Sequence, residues 1–315
     1  MEENNSIIQL ADRPRPSIAA AAGMVMLAAA GLWVATLAEL LIHPGAGLAG
    51  ELWTDALYYL PFVLLPVIVY CMRREGLSDG LRLNPMRHII AVFSVMLLGV
   101  VCVYAASALD ALWVALLNAI GLTEPTVALD TGTNIPVTTQ VITSAVIPAV
   151  CEELLFRGVV FSAFEKRGTW RAIWVSAALF ALLHGNLFGL PAYFLVGVVS
   201  AFVVYALDSL YVGMLFHTAY NAAILVFVHL MSGYDSVEAA EAVSPIPLAM
   251  NLVLVGMMMA TLLMSLEGRR LISGIQPVPR RREPMPWREK LLVAAAVALM
   301  LVNTAIVQIL TETGL

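Results

Sequence analysis

The stretch VITSAVIPAVCEELLFRGVVF, residues 141–161, decides which kind of fold this chain can adopt. It is long enough to cross the hydrocarbon core of a bilayer as a helix, for which about 20 apolar residues suffice. It nevertheless contains Glu152, Glu153 and Arg157 within six positions. A charged side chain at the bilayer centre costs at least about 2.5 kcal/mol on translocon-based scales, so these three charges need a physical explanation.

The composition of the whole chain indicates an integral membrane protein. Of its 315 residues, 61% are hydrophobic and 12% are charged, and the mean hydropathy is +0.88. An ordinary soluble domain is about 25% charged. We therefore predict an all-α fold, a polytopic bundle of about nine transmembrane helices. The predicted spans are near 17–42, 54–72, 88–109, 137–164, 171–188, 190–207, 210–231, 246–266 and 291–310.

The basic residues predict the orientation of the bundle. With nine spans and a cytoplasmic N-terminus, all 17 Lys and Arg residues except Arg157 fall at the cytoplasmic ends or in the cytoplasmic loops. The loops of the opposite side carry none, as the positive-inside rule requires. We expect a multi-pass protein of the cell membrane, with the N-terminus in the cytoplasm and the C-terminus on the opposite side.

The three charges of the opening stretch fall into two groups. Glu153 and Arg157 are four residues apart, so they share one helix face in the favourable order and can form a purely structural ion pair. Glu152 is rotated by about 100° from Glu153, so the same arginine does not obviously neutralise it. We expect Glu152 to face a cavity, to meet another polar partner, or to remain protonated.

Polar partners for Glu152 occur in two later spans. Phe180 and His184 lie four residues apart in the fifth span, and His217 and Asn221 lie four apart in the seventh. From the helical rise, Glu152 and His184 both lie roughly 20 Å from the cytoplasmic ends of their spans, and His217 roughly 14 Å. One carboxylate, two imidazoles and an amide would then meet in one layer of the bilayer, which indicates a functional site.

This residue set suits the activation of water. A glutamate can accept the proton of a water molecule that a histidine also holds, and a second histidine and an amide can donate to an oxyanion. Glu152, His184 and His217 also make up a zinc ligand set with an open fourth position, in which case Glu153 would be the base. Asparagine is an uncommon zinc ligand, which favours a substrate or oxyanion role for Asn221. Both the metal-dependent and the metal-free alternatives stay open.

Three motifs in order on successive helices carry a resemblance to a known family. They are EExxxR (Glu152, Glu153, Arg157), FxxxH (Phe180, His184) and HxxxN (His217, Asn221). Over roughly 137–230 the chain resembles the CPBP family of CAAX-processing and bacteriocin-processing intramembrane proteases, also called the Abi or type II CAAX prenyl endopeptidase family.

The resemblance implies a helical intramembrane endopeptidase with an eight-helix core. Glu152 would activate water together with His184, His217 and Asn221 would stabilise the oxyanion, and Glu153 and Arg157 would organise the site, with Phe180 in support. The family is commonly labelled a metalloprotease family, so zinc is a possible cofactor. The expected partners are membrane lipids and a membrane-associated or lipidated peptide or protein substrate; no nucleic acid is expected.

The expected organisation is a single integral membrane domain over 1–315. Its catalytic core is near 137–230, a basic, Pro-rich cytoplasmic linker covers 268–288, and an accessory C-terminal helix covers 291–310. Asp208, in a predicted turn, is expected to cap the following helix. Two other functions remain open: a non-catalytic scaffold, regulator or bacteriocin-immunity protein of the same fold, and, less favoured, an ion-coupled transporter, for which we find no internal repeat.

Overall fold

The computed structural model describes residues 13–42, 48–72, 76–86, 89–123, 136–231, 245–275, 277–278, 280 and 284–313. In these ranges the chain forms ten helices and no strand. They are α1 (Ile18–Ile42), α2 (Leu48–Met72), α3 (Leu77–Gly80), α4 (Ile89–Ala119), α5 (137–165), α6 (Thr169–Leu183), α7 (Leu190–Leu207), α8 (Leu210–Met231), α9 (Pro245–Ile272) and α10 (Trp287–Thr313).

The predicted all-α membrane bundle is confirmed. Every predicted span corresponds to one of the long helices, and the short α3 lies between the second and the third span. Within the described ranges, six helices are long and apolar enough to cross a membrane, namely α1, α2, α4, α7, α8 and α10. The number of nine crossings stays a prediction.

Several helix boundaries differ from the predicted spans. The fifth span was expected to end at 188, but α6 ends at Leu183, so His184 follows the helix instead of lying inside it. The third span was expected to end at 109, but α4 continues to Ala119 and so places Asp110 inside the helix. The carboxylate of Asp110 accepts a hydrogen bond from the backbone N–H of Ala192, 3.1 Å away, which provides this acidic residue with a partner inside the bundle. In addition, α9 extends to Ile272, so the segment between α9 and α10 is shorter than the predicted linker.

Helix α5 is wound irregularly around the motif glutamates. Two π-helical stretches, Val141–Val146 and Leu154–Phe161, enclose a short α-helical stretch, Ile147–Glu153. Pro148 has no N–H group to donate in the usual pattern, which accounts for a change of winding at the start of the α-helical stretch. π-helical turns inside helices occur frequently at functional sites.

Helix α5 is largely buried in the bundle. It packs against α2, α6 and α8, while α4 packs against α7, α8 and α9, and α10 packs against α1 and α6. Small residues allow α6 and α7 to pack closely. A Cβ atom added to Gly197 of α7 would lie only 2.8 Å from the Cα atom of Ala177 in α6. Large apolar side chains such as Leu37, Phe93 and Val302 point outward, as lipid-facing positions require.

The end of the bundle next to the α7–α8 turn is held by a set of ion pairs that we call the arginine clamp: Arg13, Arg15 and Arg82 with Glu165 and Asp208. Arg13 donates two hydrogen bonds of 2.8 Å to the carboxylate of Asp208. Arg82 donates to both Asp208 and Glu165, and Arg15 donates to Glu165 at 2.9 Å. The clamp thereby joins the segment before α1 and the segment after α3 to the ends of α5 and α7.

The expectation that Asp208 caps α8 is corrected by this arrangement. Asp208 has a left-handed backbone conformation (φ 47°, ψ 39°) at the end of α7, and its carboxylate binds Arg13, Arg82 and the Asn84 amide. Burial alone would raise the pKa of Asp208, but the hydrogen bonds from Arg13 and the charge of Arg82 outweigh it and lower that pKa below 3.8.

We predict that Arg82→Ala lowers the free energy of unfolding by about 3–5 kcal/mol, because it leaves Glu165 and Asp208 buried with one cation fewer. Thermal unfolding of the protein in detergent micelles measures this loss. Arg288→Ala is the matched control, since Arg288 is exposed at the start of α10. Equal melting temperatures for the two variants would contradict a stabilising clamp.

Acid is predicted to weaken the clamp. Because the folded-state pKa of Asp208 is lowered, its contribution to stability is present above the ordinary pKa and is lost as the pH falls through the folded-state pKa. As the pH falls below the ordinary pKa of an aspartate, wild type should therefore lose more stability than Asp208→Asn, which has no carboxylate to protonate. Parallel melting curves for both proteins over this range would refute the prediction.

Candidate active site

A cavity of about 990 Å³ lies between α2, α4, α5, α6, α7 and α8. Its walls include Glu152, Phe180, His184, His217 and Asn221, so the structure brings the residues of all three motifs together around one space. The volume is at the upper end of what ligand pockets commonly have. The meeting of motif residues from α5, α6 and α8 agrees with the depths that we estimated from the helical rise.

Glu152 lines this cavity, and its buried Oε2 atom has no hydrogen-bond partner among the described residues. The residue is 8% exposed, and its Oε2 atom lies 3.9 Å from Nε2 of His184 and 4.0 Å from Nε2 of His217. These separations are too long for direct hydrogen bonds. A water molecule placed between the carboxylate and either ring could hydrogen-bond to both.

The two imidazole rings are oriented by partners on their far sides. Nδ1–H of His184 donates to the carbonyl oxygen of Phe180 over 2.8 Å, and Nδ1–H of His217 donates to Oε1 of Glu153 over 3.2 Å. A carbonyl oxygen and an ionised carboxylate can only accept hydrogen bonds. The Nδ1 atom of each ring therefore carries the proton. Both Nε2 atoms consequently face the cavity and Glu152.

Glu153 and Arg157 form the ion pair that their spacing predicts, at 3.0 Å and with no exposure of either side chain. Glu153 also accepts a 2.7 Å hydrogen bond from Oγ of Ser200, and Arg157 donates a 3.0 Å bond to the carbonyl oxygen of Gly197. Glu153 therefore binds residues of three helices: Arg157 in α5, Ser200 in α7 and His217 in α8.

Phe180 lies in contact with the arginine and with both histidines. The guanidinium of Arg157 is 4.6 Å above its ring, and its ring centroid is 4.7 Å from that of His184 and 5.5 Å from that of His217. The aromatic edge-to-face geometry fixes the orientation of both imidazoles. Phe180 therefore holds these polar groups in position, and its ring forms an apolar part of the cavity wall.

Several residues at the cavity escaped the sequence analysis. Tyr193 stacks on His184 with ring centroids 4.0 Å apart, and Asn186 binds the backbone N–H groups of Phe188 and Gly189 in the turn before α7. Ser200 holds Glu153. A weak signal was available for Tyr193 and Ser200, because both are polar positions in the otherwise apolar 190–207 span.

Two further carboxylates, Asp55 of α2 and Asp110 of α4, also line the cavity and were not predicted. The predicted spans start at 54 and end at 109, which places Asp55 at the start of one span and Asp110 just beyond the end of another. The signal that could have identified them is the same one that identified Glu152. Each is an acidic residue in a long apolar run, where an ionisable side chain is expensive and therefore indicates a function.

The metal-dependent alternative requires donor groups that are suitable ligands and lie close together. Glu152, His184 and His217 are chemically suitable zinc ligands. In the described part of the chain, however, no group of three or more His, Cys, Asp or Glu side chains is close enough together to hold a metal ion. We therefore derive no catalytic step through a metal, and the choice between the metal-dependent and metal-free alternatives stays a prediction.

The fold and the cavity define a polytopic membrane protein in which a buried glutamate and a buried histidine share a cavity with a second histidine at the end of α6. Residues 134–223 match the family model described as type II CAAX prenyl endopeptidase Rce1-like. This match includes all three motifs and confirms the resemblance to the CPBP family over this segment. No curated protein and no solved structure matches the chain.

The turn after His184 touches a helix outside the matched segment. Gly185 has a φ of 65°, and a Cβ atom added to it would lie 2.7 Å from the side-chain nitrogen of Asn303 in α10. A left-handed conformation disfavours any residue with a Cβ atom. The C-terminal helix therefore packs directly against the turn that follows His184.

We predict that Gly185→Ala lowers the free energy of unfolding by at least about 1–2 kcal/mol, because of the backbone strain alone. Thermal unfolding in micelles provides the measurement. Gly23→Ala is the matched control, because a Cβ atom there would have no neighbour within 4 Å and the residue lies inside α1. The prediction is refuted if Gly185→Ala melts at the wild-type temperature or above it.

Proposed function

We propose that this protein is an intramembrane endopeptidase that hydrolyses peptide bonds in membrane-associated or lipidated peptides or proteins, using water activated by Glu152 and His184. The observation that carries the proposal is the unpaired Oε2 atom of Glu152, which lies 3.9 Å from Nε2 of His184 inside a cavity of about 990 Å³. The separation matches the position of a water molecule bound to both groups.

In the proposed reaction, the water donates one hydrogen bond to Glu152 and one to Nε2 of His184. Its oxygen atom attacks the carbonyl carbon of the scissile peptide bond, and Glu152 takes up the proton that is released. The tetrahedral intermediate then collapses, the C–N bond breaks, and Glu152 returns the proton to the leaving nitrogen. Glutamate is thus a general base first and a general acid afterwards.

His217 and Asn221 are proposed to stabilise the oxyanion of that intermediate. The Asn221 amide is a hydrogen-bond donor on the cavity wall, one helical turn from His217. Nε2 of His217 donates only when the ring carries both protons, and the carboxylate of Glu153 at Nδ1 provides the counter-charge for that form. Buried donors of this kind typically contribute a factor of about 10²–10³ to the rate.

We also propose that the cavity opens toward the membrane face opposite the arginine clamp. Helices α6 and α7 are joined by the turn at 184–189, whose residues Asn186, Phe188 and Gly189 line the cavity. The clamp lies at the other ends of α5 and α7, through Glu165 and Asp208. With the N-terminus in the cytoplasm, the clamp is cytoplasmic and the mouth of the cavity is on the other side.

We expect purified wild type in lipid nanodiscs to cleave members of a fluorogenic library of membrane-anchored peptides, both prenylated and unmodified. Glu152→Gln and His184→Ala should each reduce that cleavage by at least about 10²-fold, the usual size of a general-base contribution. Glu267→Gln is the matched control, because Glu267 pairs with Arg270 near the end of α9, outside the cavity.

Unchanged melting temperatures would show that the two variants are folded. Full cleavage by Glu152→Gln would overturn the proposed mechanism, and failure of wild type to cleave any peptide would favour a non-catalytic scaffold. A parallel series with a metal chelator separates the metal-dependent from the metal-free alternative, because only the metal-dependent enzyme loses activity.

A further inference from the structure

His184 lies where α6 ends, so regular helical geometry does not hold it. The helix ends at Leu183, and the backbone N–H groups of His184 and Gly185 each donate to the carbonyl oxygen three residues back instead of four. Such bonds are typical of a tightened last turn. Gly185 then takes a left-handed conformation, with a φ of 65°, and the chain leaves the helix.

The contacts of His184 with its own helix restrain the imidazole incompletely. Its Nδ1–H group donates to the carbonyl oxygen of Phe180 over 2.8 Å, and the Phe180 ring meets the imidazole at 61°. The hydrogen bond fixes one atom, about which the ring plane can still tilt. The proposed reaction needs the other nitrogen, Nε2, to stay directed at the water next to Glu152. A further contact is therefore required to hold the plane of the ring.

Tyr193 of α7 provides that contact. Its ring centroid lies 4.0 Å from that of His184, and the two planes are inclined by only 21°. A stacked aromatic ring opposes tilting of the imidazole towards its face, a motion that the Nδ1 bond leaves open. Tyr193 also belongs to a different helix, so its support does not depend on the last turn of α6.

The turn before α7 holds Tyr193 in turn. The backbone N–H of Tyr193 donates to the carbonyl oxygen of Gly189 over 3.1 Å, and the side chains of Tyr193 and Asn186 are hydrogen-bonded to each other. Oδ1 of Asn186 accepts from the backbone N–H groups of Phe188 and Gly189. The same short segment that follows His184 therefore fixes the ring that stacks on it.

Gly189 leaves the space that the tyrosine ring occupies. A Cβ atom added to Gly189 would lie 2.7 Å from Cε2 of Tyr193, which is closer than packed carbon atoms approach. The φ of Gly189 is −89°, a value that other residues also adopt. The close approach of the Tyr193 ring, and not the backbone conformation, therefore requires glycine at this position.

We propose that Tyr193 is a positioning residue for His184 and that Asn186 and Gly189 hold its ring in place. This inference rests on the water-activating role of His184 in the endopeptidase activity proposed above. The Tyr193 ring keeps Nε2 of His184 directed at Glu152, so that one water molecule can bind to both groups. Without the ring, the imidazole tilts and the water loses one of the two groups that hold it.

Tyr193→Leu removes the stacking ring and keeps an apolar side chain in the cavity wall. On the membrane-anchored peptides we expect kcat to fall by at least about tenfold and KM to stay within about twofold, because a misplacement of about 1 Å at a reacting group can cost 10²-fold. Tyr193→Phe should retain most of the wild-type kcat, since it keeps the ring.

Tyr205→Leu is the matched control and should keep the wild-type kcat. It removes a buried tyrosine from the same helix, outside the cavity lining. Melting temperatures measured in micelles show which variants are folded. A wild-type kcat in folded Tyr193→Leu would overturn the inference. Equal losses in Tyr193→Phe and Tyr193→Leu would overturn it as well, because they would assign the effect to the hydroxyl group.

A second variant moves the tyrosine ring without removing it. Gly189→Ala places a methyl group against the ring, so it should lower kcat when Tyr193 is present. In the Tyr193→Leu background the same substitution should lower kcat little further, because leucine does not extend to the position of Cε2. Residues that act through one contact show such non-additivity. Losses that multiply in the double variant would contradict an action through the Tyr193 ring.

Chemical modification separates failure of this inference from failure of the proposed function, because it needs no catalysis. Diethyl pyrocarbonate acylates imidazole nitrogens, and peptide mapping by mass spectrometry measures its rate at His184, with the exposed His229 as the reference for reagent dose. Losing a stacked aromatic partner should raise that rate at least about threefold in Tyr193→Leu, whereas Tyr193→Phe should stay near the wild-type rate.

The two measurements together distinguish the outcomes. A raised modification rate in Tyr193→Leu, combined with a wild type that cleaves no peptide, would support the positioning contact and refute the endopeptidase function. Cleavage by wild type, combined with an unchanged modification rate and an unchanged kcat in Tyr193→Leu, would refute the positioning role and support the function.

Discussion

The buried ion pair between Glu153 and Arg157 is the interaction on which the rest of the site depends. Both side chains are fully buried, and a buried charge is tolerated only when its partner and further hydrogen bonds are in place. Those further bonds come from Ser200 and Gly197 of α7 and from His217 of α8. Satisfying one pair of charges therefore determines how α5, α7 and α8 approach one another.

The same pair explains how two adjacent glutamates acquire different roles. Glu153 has its oxygens occupied by an arginine, a serine and a histidine, whereas Glu152 has an oxygen without a hydrogen-bond partner in the cavity. The rotation between neighbouring helical positions turns one carboxylate into the protein and the other into the open space. In the proposed reaction, Glu152 remains available for water because Glu153 is fully engaged.

The charges of the bundle are separated along its length. Cationic side chains and their acidic partners hold the end of the bundle at the α7–α8 turn together, whereas Glu152 and the two histidines lie at the cavity. The clamp joins the helix ends at that side, and the cavity brings the polar groups of the proposed reaction together inside the bundle.

The sequence by itself determined the membrane bundle and the identity of the central residues. Helical periodicity relates Glu153 to Arg157, Phe180 to His184 and His217 to Asn221, and lengths of apolar sequence define the spans, because both properties are local. The resemblance to the protease family follows from the same motifs, and the family match over 134–223 confirms it.

Only the tertiary structure decided which polar residues share the cavity with those motifs. Tyr193 on His184, Ser200 on Glu153 and Asn303 against Gly185 are contacts between helices, and no spacing along the chain encodes them. Asp208 shows the same limit: its local position indicated a helix cap, but arginines distant in sequence bind its carboxylate. Residues with apolar neighbours in sequence acquire polar partners only when the helices pack.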